Sequence, residues 1–219
     1  LKVDGILGDF GVSSHQFDSA ERGFSTRQDA VLDMRMDQNG SLSAREVVNT
    51  YPFERLRVVL SRYGELKRAG AISRAIVKAR EQKPIETTGE LNQVVRPFLQ
   101  RGKENKGLAQ AYQAIRMEVN QELGALKDLL LQSEQLVRIG GRLSLISYHS
   151  LEDRLVKRFI RSGKFEGEVE KDFYGNPLTP FKGVGKLIVP SAEEIEANPR
   201  ARSAKLRVAE RIEIVKRNK

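Results

Sequence analysis

Two short segments of the sequence carry residue types that could hold a small polar ligand or act on it. The first runs from Val3 to Gln16, where an apolar stretch ends at Asp9 and is followed by glycine, serine and glutamine. An aspartate just beyond the carboxyl end of a strand can accept hydrogen bonds from a ligand's amine or hydroxyl. The same residue could instead cap the next turn, and the segment alone leaves both interpretations open.

The second segment follows the apolar stretch from Arg142 to Ser147. His149 in this segment is suited to acid–base chemistry or to a hydrogen bond with a nucleobase edge. In the alternative interpretation, Ser150 caps the next helix and His149 is only structural. A serine hydrolase site is a poor fit, because its nucleophile needs a glycine on either side and neither Ser147 nor Ser150 has one. If the two strands are neighbours, both segments border one cleft.

A third segment, from Asn198 to Arg207, is strongly basic and follows a proline. It contains four cations within eight residues, namely Arg200, Arg202, Lys205 and Arg207. Such a segment can contact phosphates, which positions RNA without reading its sequence. It could equally be a solvated basic edge that protects a strand from aggregation.

Composition narrows the class of protein. The chain of 219 residues has a net charge of +9, which indicates a polyanionic partner such as nucleic acid. It has no cysteine and only two histidines, so neither thiol chemistry nor a metal cluster is expected. The absence of cysteine predicts a reducing, cytoplasmic location. No apolar run is long enough for a membrane span. An aromatic content of 6% without tryptophan argues against a stacking platform for single strands.

No nucleotide-binding loop is predicted. The glycine pair in Gly183-Val184-Gly185 lacks the third glycine and the following helix of a dinucleotide fingerprint, and no Walker sequence occurs. These observations alone lead to a basic α/β protein that acts on nucleic acid.

Local patterns predict a sheet interrupted by a helical insert. Capping boxes at Ser43–Glu46 and Thr87–Glu90 start helices, and residues 43–99 read as an all-helical unit. Apolar spacing from Tyr112 to Val137 predicts one long helix that ends at Gly140-Gly141. Strand, helix, strand and helix in succession are typical of a parallel sheet. The remaining predictions are strands at 142–147, at 186–189 and from Leu206 to Ile214, helix starts at Ser150 and Ser191, and a turn at 175–177.

With these segments in view, the sequence closely resembles the 16S ribosomal RNA cytosine-N4 methyltransferase family. The resemblance implies transfer of a methyl group from S-adenosyl-L-methionine to the exocyclic N4 of a cytidine in 16S rRNA of the small ribosomal subunit. It also implies a Rossmann-like class I methyltransferase sheet with an inserted all-helical domain. The motifs that carry it are Asp4 to Ser14, Arg22 to Ser25, Leu32 to Asp37, Tyr63 to Glu65, Gln113 to Arg116, Val119 to Leu123, Ser147 to Arg154 and Asn198 to Arg211.

The resemblance also implies roles for individual residues. Asp9 and Gln16 match cofactor-binding positions of the family. Ser147 and His149 are candidates for catalysis without an assigned role, and no metal is expected. The chain departs from the family's usual residues at Gly8, Phe10, His15 and Tyr148. Candidate RNA contacts are Arg35, His149, Arg154, Arg200, Arg202 and Lys205.

The resemblance covers only the later two thirds of the family. It implies a methyltransferase domain in two parts, residues 1–37 and 108–219, around an inserted RNA-recognition domain at residues 38–107. In the family's strand order 3-2-1-4-5-7-6, strands 4-5-7-6 would be present, and strands 1–3 with the main cofactor loop would lack a counterpart. Strand 4 would then be an exposed edge that invites a homodimer. The alternative function is a non-catalytic RNA-binding or dimerising fragment of that enzyme.

Overall fold

The structure, a computed structural model, describes residues 1–213 in two compact units. The α/β unit comprises Leu1–Gly11 and the chain from Leu123 onward, and the helical unit comprises Val12–Glu122. These limits lie outside the predicted insert of residues 38–107. The reason is that Phe24, Leu32 and Met34, which precede the predicted insert, are buried in the core of the helical unit.

The α/β unit is built on one four-stranded mixed sheet. Its strands are β1 (Val3–Asp9), β2 (Val137–Ser147), β3 (Phe181–Ile188) and β4 (Lys205–Arg211). Their order is β1-β2-β4-β3, with β1 parallel to β2 and β4 antiparallel to both of its neighbours. The predicted α/β class is confirmed, and β1 lies at an edge of this sheet.

The helical unit contains six α-helices within the described residues. They are α1 (Ser14–Asp18), α2 (Ala44–Thr50), α3 (Phe53–Arg62), α4 (Ala69–Gln82), α5 (Thr88–Val95) and α6 (Glu104–Val119). The capping boxes predicted at Ser43 and Thr87 are confirmed, and a third joins Ser13 to Gln16. In each box a hydroxyl accepts from a free backbone amide of the first turn, which explains where these helices begin.

Within residues 1–213, three α-helices accompany the sheet. They are α7 (Glu122–Leu136), α8 (Ser150–Ser162) and α9 (Ala192–Ala197), with a 3-10 turn at Pro199–Ser203. The core joins Leu143 and Leu145 of β2 to Leu130 of α7, Phe159 of α8 and Phe181 of β3. No helix in residues 1–213 is both long and apolar enough to cross a membrane. Ile214, the last residue of the predicted terminal strand, lies outside the described residues.

The prediction of one long helix from Tyr112 to Gly140-Gly141 is wrong. α6 ends at Val119, and Gln121 adopts the left-handed backbone conformation with φ of 48°. The side chain of Asn120 accepts from the Met36 amide at 2.6 Å and donates to the Met34 carbonyl at 2.8 Å. These two hydrogen bonds stabilise the end of α6 at this point. The spacing of the apolar residues does not predict that end.

The glycine pair expected to end that helix lies inside β2 instead. β2 begins at Val137, which pairs with Val3 of β1. A Cβ atom on Gly141 would stand 2.7 Å from the Asp4 carbonyl oxygen, so a larger residue would push the two strands apart. Gly141 therefore permits a close approach of backbones rather than stopping a helix.

Candidate functional site

The carboxyl ends of β1 and β2 bring the two chemically interesting segments together. The strands are parallel neighbours, Asp9 pairs with Ile146, and the Phe10 amide donates to the Ile146 carbonyl at 3.1 Å. Residues that follow these strands therefore emerge at the same edge of the sheet. Tyr148, two residues beyond Ile146, hydrogen-bonds through its side chain to the exposed carboxylate of Asp9.

The environment of Tyr148 further favours the protonated form of its hydroxyl. Burial raises the pKa of this phenol, and the hydrogen bond to Asp9 raises it further, as do the charges of Asp9, Glu152 and Glu194. A neutral phenol can donate to Asp9 across the physiological pH range. The pair therefore presents one oriented carboxylate beyond the end of β1.

A cleft of about 350 Å³ adjoins this pair. It brings together three of the predicted RNA contacts, His149, Arg202 and Lys205. Arg154 and Arg200 are exposed but do not line it. Two cations and an imidazole beside Tyr148 are suited to a phosphate or a nucleobase edge. Its lining residues, none of which belongs to β1, are Tyr148, His149, Ser150, Val189, Arg202, Ser203, Ala204 and Lys205. We call it the β1–β2 cleft because Tyr148, which follows β2 and bonds to Asp9 at the end of β1, lies on its wall.

His149, rather than Ser150, is the N-cap of α8. Its Nδ1 accepts from the Glu152 amide at 3.4 Å, so the expectation that Ser150 caps this helix is wrong. Its Nε2 lies 3.1 Å from Glu152 Oε1, although this contact lacks hydrogen-bond geometry and Nε2 has no hydrogen-bond partner among the described residues. A buried ring nitrogen in that state is a candidate for contact with a ligand.

Glu152 supports both residues of the turn before α8. Its Oε2 accepts from the Tyr148 amide at 3.0 Å, and only 3% of its side chain is exposed. Sequence reasoning missed Glu152 and treated Tyr148 only as a tolerable departure from the family. The available signal was the spacing, because a glutamate three residues after an N-cap reaches back to the preceding backbone.

Ser147 is less accessible than its neighbours. It is 2% exposed and pairs with Lys205 across β2 and β4. His149, with 10% of its side chain exposed, lines the β1–β2 cleft. The catalytic roles of both residues stay predictions.

Asp153 connects α8 to β4. Its carboxylate accepts from Arg207 Nε at 2.7 Å and Nη2 at 3.2 Å, and Lys205 Nζ lies 3.5 Å away. Burial alone would raise the pKa of Asp153, but the bonds and charges of Arg207 and Lys205 outweigh it and lower the pKa. Asp153 therefore holds the cation-bearing strand in place, which sets where Lys205 meets the β1–β2 cleft.

Two predicted site residues belong to the helical unit and have structural partners there. Gln16 Oε1 accepts from the Ser13 amide at 3.0 Å as part of the capping box of α1. Arg35 donates to both carboxylate oxygens of Asp33, at 2.8 and 2.9 Å, and to the Gly40 carbonyl at 2.8 Å. The hydrogen bond from Arg35 is the main reason that the pKa of Asp33 is lowered. The cofactor role of Gln16 and the RNA contact of Arg35 stay predictions.

Comparison with known proteins places the chain among methylases. Residues 1–212 match the MraW methylase family. The chain is 64% identical over 211 residues to a protein of Christiangramia forsetii named ribosomal RNA small subunit methyltransferase H, covering 96% of this chain and 70% of that relative. Proteins with the same name from Flavobacterium johnsoniae and Parabacteroides distasonis are 62% and 53% identical, with 96% of this chain and 70% of each relative covered.

Proposed function

The chain belongs to the MraW methylase family, and we propose that it transfers a methyl group from S-adenosyl-L-methionine to the exocyclic N4 of a cytidine in 16S rRNA. Its substrate would be the small ribosomal subunit or its RNA. The observation that carries this proposal is the convergence of Asp9 and Tyr148 at the carboxyl ends of two neighbouring parallel strands. Open α/β sheets bind their ligands at that edge.

The sheet order supports a Rossmann-like class I assignment. In that fold an antiparallel strand 7 lies between strands 5 and 6, and here β4 lies antiparallel between β2 and β3. We assign β1, β2, β4 and β3 to strands 4, 5, 7 and 6. This assignment makes Asp9 the residue that ends strand 4.

The residues at the end of β1 fit the chemistry of the proposed cofactor. Asp9 is exposed and offers carboxylate lone pairs to an amine or a hydroxyl, while Tyr148 fixes its orientation. Gln16 uses its Oε1 in the capping box, so its amide Nε2 is the group it offers to a ligand. When bound, S-adenosyl-L-methionine supplies an electrophilic methyl group on a sulfonium centre. In this proposal Asp9 holds and orients it, and the cofactor role of Gln16 stays a prediction from the family resemblance.

On the substrate, the main requirement is that cytosine N4 be aligned with the methyl group. Cytosine N4 is a weak nucleophile because its lone pair is delocalised into the ring, and transfer requires it to approach the methyl group in line. His149, Arg202 and Lys205 line one cleft, and in this proposal His149 holds the base and the two cations hold its phosphates. A hydrogen bond from the amine to an acceptor at Asp9 or Ser147 would help to localise the lone pair.

The proposal is tested by replacing Asp9 and measuring cofactor binding by calorimetry together with methyl transfer to small ribosomal subunits. Asp9→Asn keeps the size of the side chain but removes its charge. We expect cofactor affinity to fall at least about tenfold, because a hydrogen bond to a charged group contributes about 1.5–3 kcal/mol. Asp4→Asn is the matched control, since Asp4 lies on the same exposed strand and pairs with Arg138; it should bind as the unaltered chain does.

The alternative is a non-catalytic RNA-binding or dimerising protein. It predicts salt-sensitive RNA affinity without cofactor binding or methyl transfer by the unaltered chain. Methylated nucleosides recovered from the RNA would identify the position: 4-methylcytidine supports the proposal, and any other methylated base contradicts it.

A further inference from the structure

A second cleft in the α/β unit lies between α8 and β3 and has a volume of about 620 Å³. Five cations line this α8–β3 cleft, and none of its lining residues among those described is acidic. It shares no lining residue with the β1–β2 cleft. The five cations are Lys157, Arg161, Lys182, Lys186 and Arg207.

Most of this positive charge is uncompensated. Arg207 is bound to Asp153, but the other four cations form no ion pair within the part of the chain that the structure describes. All four are exposed. A concentration of unpaired cations raises the local potential and favours a polyanion over a neutral ligand.

The glycines of β3 leave space along one side of the cleft. A Cβ atom on Gly183 would lie 3.8 Å from Ile160 of α8, and one on Gly185 would meet nothing within 4 Å. Gly185 has a φ of +68°, at an irregularity of the pairing between Val184 and Ile188. β3 is also an edge strand, so its backbone is accessible to a ligand. Gly183 and Gly185, which form no nucleotide-binding loop, therefore line this cleft.

Two aromatic rings stand in solvent on the loop between α8 and β3. Phe173 is 94% exposed and Tyr174 is 76% exposed, with ring centroids 5.6 Å apart and planes at 87°. Two adjacent exposed rings form a small apolar patch, and such patches are a feature of contact sites. Their exposure differs from the expectation that the chain lacks a stacking platform, because a low aromatic content does not say where the few rings lie.

A tight turn holds this aromatic pair. The carboxylate of Asp172 accepts from the Tyr174 amide at 2.9 Å, the Asn176 amide at 2.8 Å and Asn176 Nδ2 at 3.0 Å. These bonds, with the Asn176 side chain contributing most, lower the pKa of Asp172. Asn176 and Pro177, on the returning side of the turn, line the α8–β3 cleft. The turn therefore connects the two rings to residues that line the α8–β3 cleft.

We propose that the α8–β3 cleft and the pair Phe173–Tyr174 bind a single-stranded segment of the RNA substrate. The cations contact consecutive phosphates, and the rings stack on unpaired bases. A duplex does not fit this chemistry as well, because its bases are already stacked and offer no free face to the rings. The inference rests on the proposed function for the identity of the RNA, but the contact itself requires neither cofactor nor methyl transfer.

The test is a binding measurement on the full chain with a short fluorescent single-stranded RNA and the same RNA annealed to its complement. We expect the single strand to bind more tightly. Phe173→Leu/Tyr174→Leu keeps exposed apolar side chains but removes the aromatic faces. It should weaken single-strand binding about fivefold or more per ring, the range found for base stacking. Phe173→Trp/Tyr174→Trp is the matched variant that keeps the faces and should bind at least as tightly as the unaltered chain.

The cations are tested by the salt dependence of the same binding. Lys157→Gln/Lys182→Gln/Lys186→Gln should reduce the slope of log affinity against log salt by about 0.7 per lost phosphate contact. The charge-preserving variant Lys157→Arg/Lys182→Arg/Lys186→Arg should keep the slope. All of these side chains are exposed, so the variants are expected to fold.

The outcomes separate this inference from the proposed function. Leucine and glutamine variants that bind the single strand like the unaltered chain overturn the α8–β3 site, whatever happens to methyl transfer. Weakened binding by these variants supports the site even if the chain transfers no methyl group, in which case only the proposed reaction fails. An unaltered chain that binds neither RNA overturns the α8–β3 site, while methyl transfer to small ribosomal subunits decides the proposed function separately.

Discussion

At the scale of single residues, His149 combines two roles that mutagenesis can separate. Its Nδ1 caps α8, and its ring lines the β1–β2 cleft with a buried Nε2. A loss of activity in an alanine variant would therefore not distinguish a damaged helix from a missing substrate contact. The substitution His149→Asn separates the two roles, because asparagine is among the best N-cap residues and carries no imidazole.

We predict that His149→Asn keeps the stability of the chain and lowers its turnover on ribosomal subunits about tenfold, the effect of one lost hydrogen bond of about 1.4 kcal/mol. His149→Ala should lower turnover similarly and also reduce the free energy of unfolding by about 1 kcal/mol. Urea titrations and single-turnover assays on both variants provide the measurements. Turnover of His149→Asn equal to that of the unaltered chain would leave His149 with a structural role only.

Two buried serines test the cost of an unpaired hydroxyl. Ser73 in α4 and Ser133 in α7 are both 0% exposed, but the Ser73 hydroxyl has no hydrogen-bond partner among the described residues. The Ser133 hydroxyl donates to the Leu130 carbonyl at 2.7 Å. We predict that Ser73→Ala is neutral or stabilises by up to about 1 kcal/mol, whereas Ser133→Ala destabilises by about 1 kcal/mol. Urea unfolding of the two variants measures this, and equal losses would contradict it.

At the scale of elements, the helix starts of the helical unit are held by charge as well as by hydroxyl caps. Glu90 of the α5 capping box accepts from Lys83 Nζ at 2.5 Å and from the Glu86 amide at 2.7 Å. The bond from Lys83 is the largest reason that the pKa of Glu90 falls from 4.5 to about 2, and the Glu86 amide comes next. The stability of the start of α5 therefore depends on pH.

This coupling predicts an acid dependence of stability. A folded-state pKa below the unfolded value means that the contribution of Glu90 is complete above about pH 4.5 and is lost as the pH falls towards 2. Glu90→Gln should flatten the part of the stability–pH profile in that window, as read from urea unfolding at several pH values. Glu81→Gln, on the exposed face of α4, is the control and should leave the profile unchanged. An unaltered slope in Glu90→Gln would contradict the assignment.

The break at Asn120-Gln121 shows why element boundaries escaped prediction. Apolar residues continue at helical spacing through this point, so the pattern predicts one helix. The bonds of Asn120 to Met34 and Met36 come from a segment more than 80 residues earlier in the chain. A local pattern carries no information about such a partner.

At the scale of the whole molecule, the open edge of the sheet is the main feature that invites association. β1 pairs only with β2 among the described strands, and Leu7 of β1 is 73% exposed. An exposed edge of this kind can pair with a second chain. The homodimer expected from the sequence stays a proposal.

Sedimentation equilibrium tests this proposal over a range of concentrations. If two copies associate through β1, Leu7→Lys should shift the equilibrium towards the monomer by at least about tenfold in dissociation constant, because edge lysines oppose pairing. Leu131→Lys, at a 49% exposed position on α7, is the matched control and should not change association. A monomer at all concentrations of the unaltered chain removes the homodimer.

The sequence by itself determined the features that depend on neighbours within a few residues. The capping boxes at Ser43 and Thr87, the strand that ends near Asp9 and the helix that begins at Ser150 follow from local hydrogen bonding and apolar spacing. The family resemblance also follows from the sequence alone, because it rests on short motifs in a fixed order along the chain. The membership is now shown by a match over residues 1–212.

Only the tertiary structure decided which of these segments meet. It placed β1 beside β2, joined Asp9 to Tyr148, turned Asp153 towards Arg207 and gathered the cations of α8 and β3 around one cleft. The physical reason is that these contacts join residues far apart in the chain. Their formation depends on strand register and core packing, which local spacing does not specify.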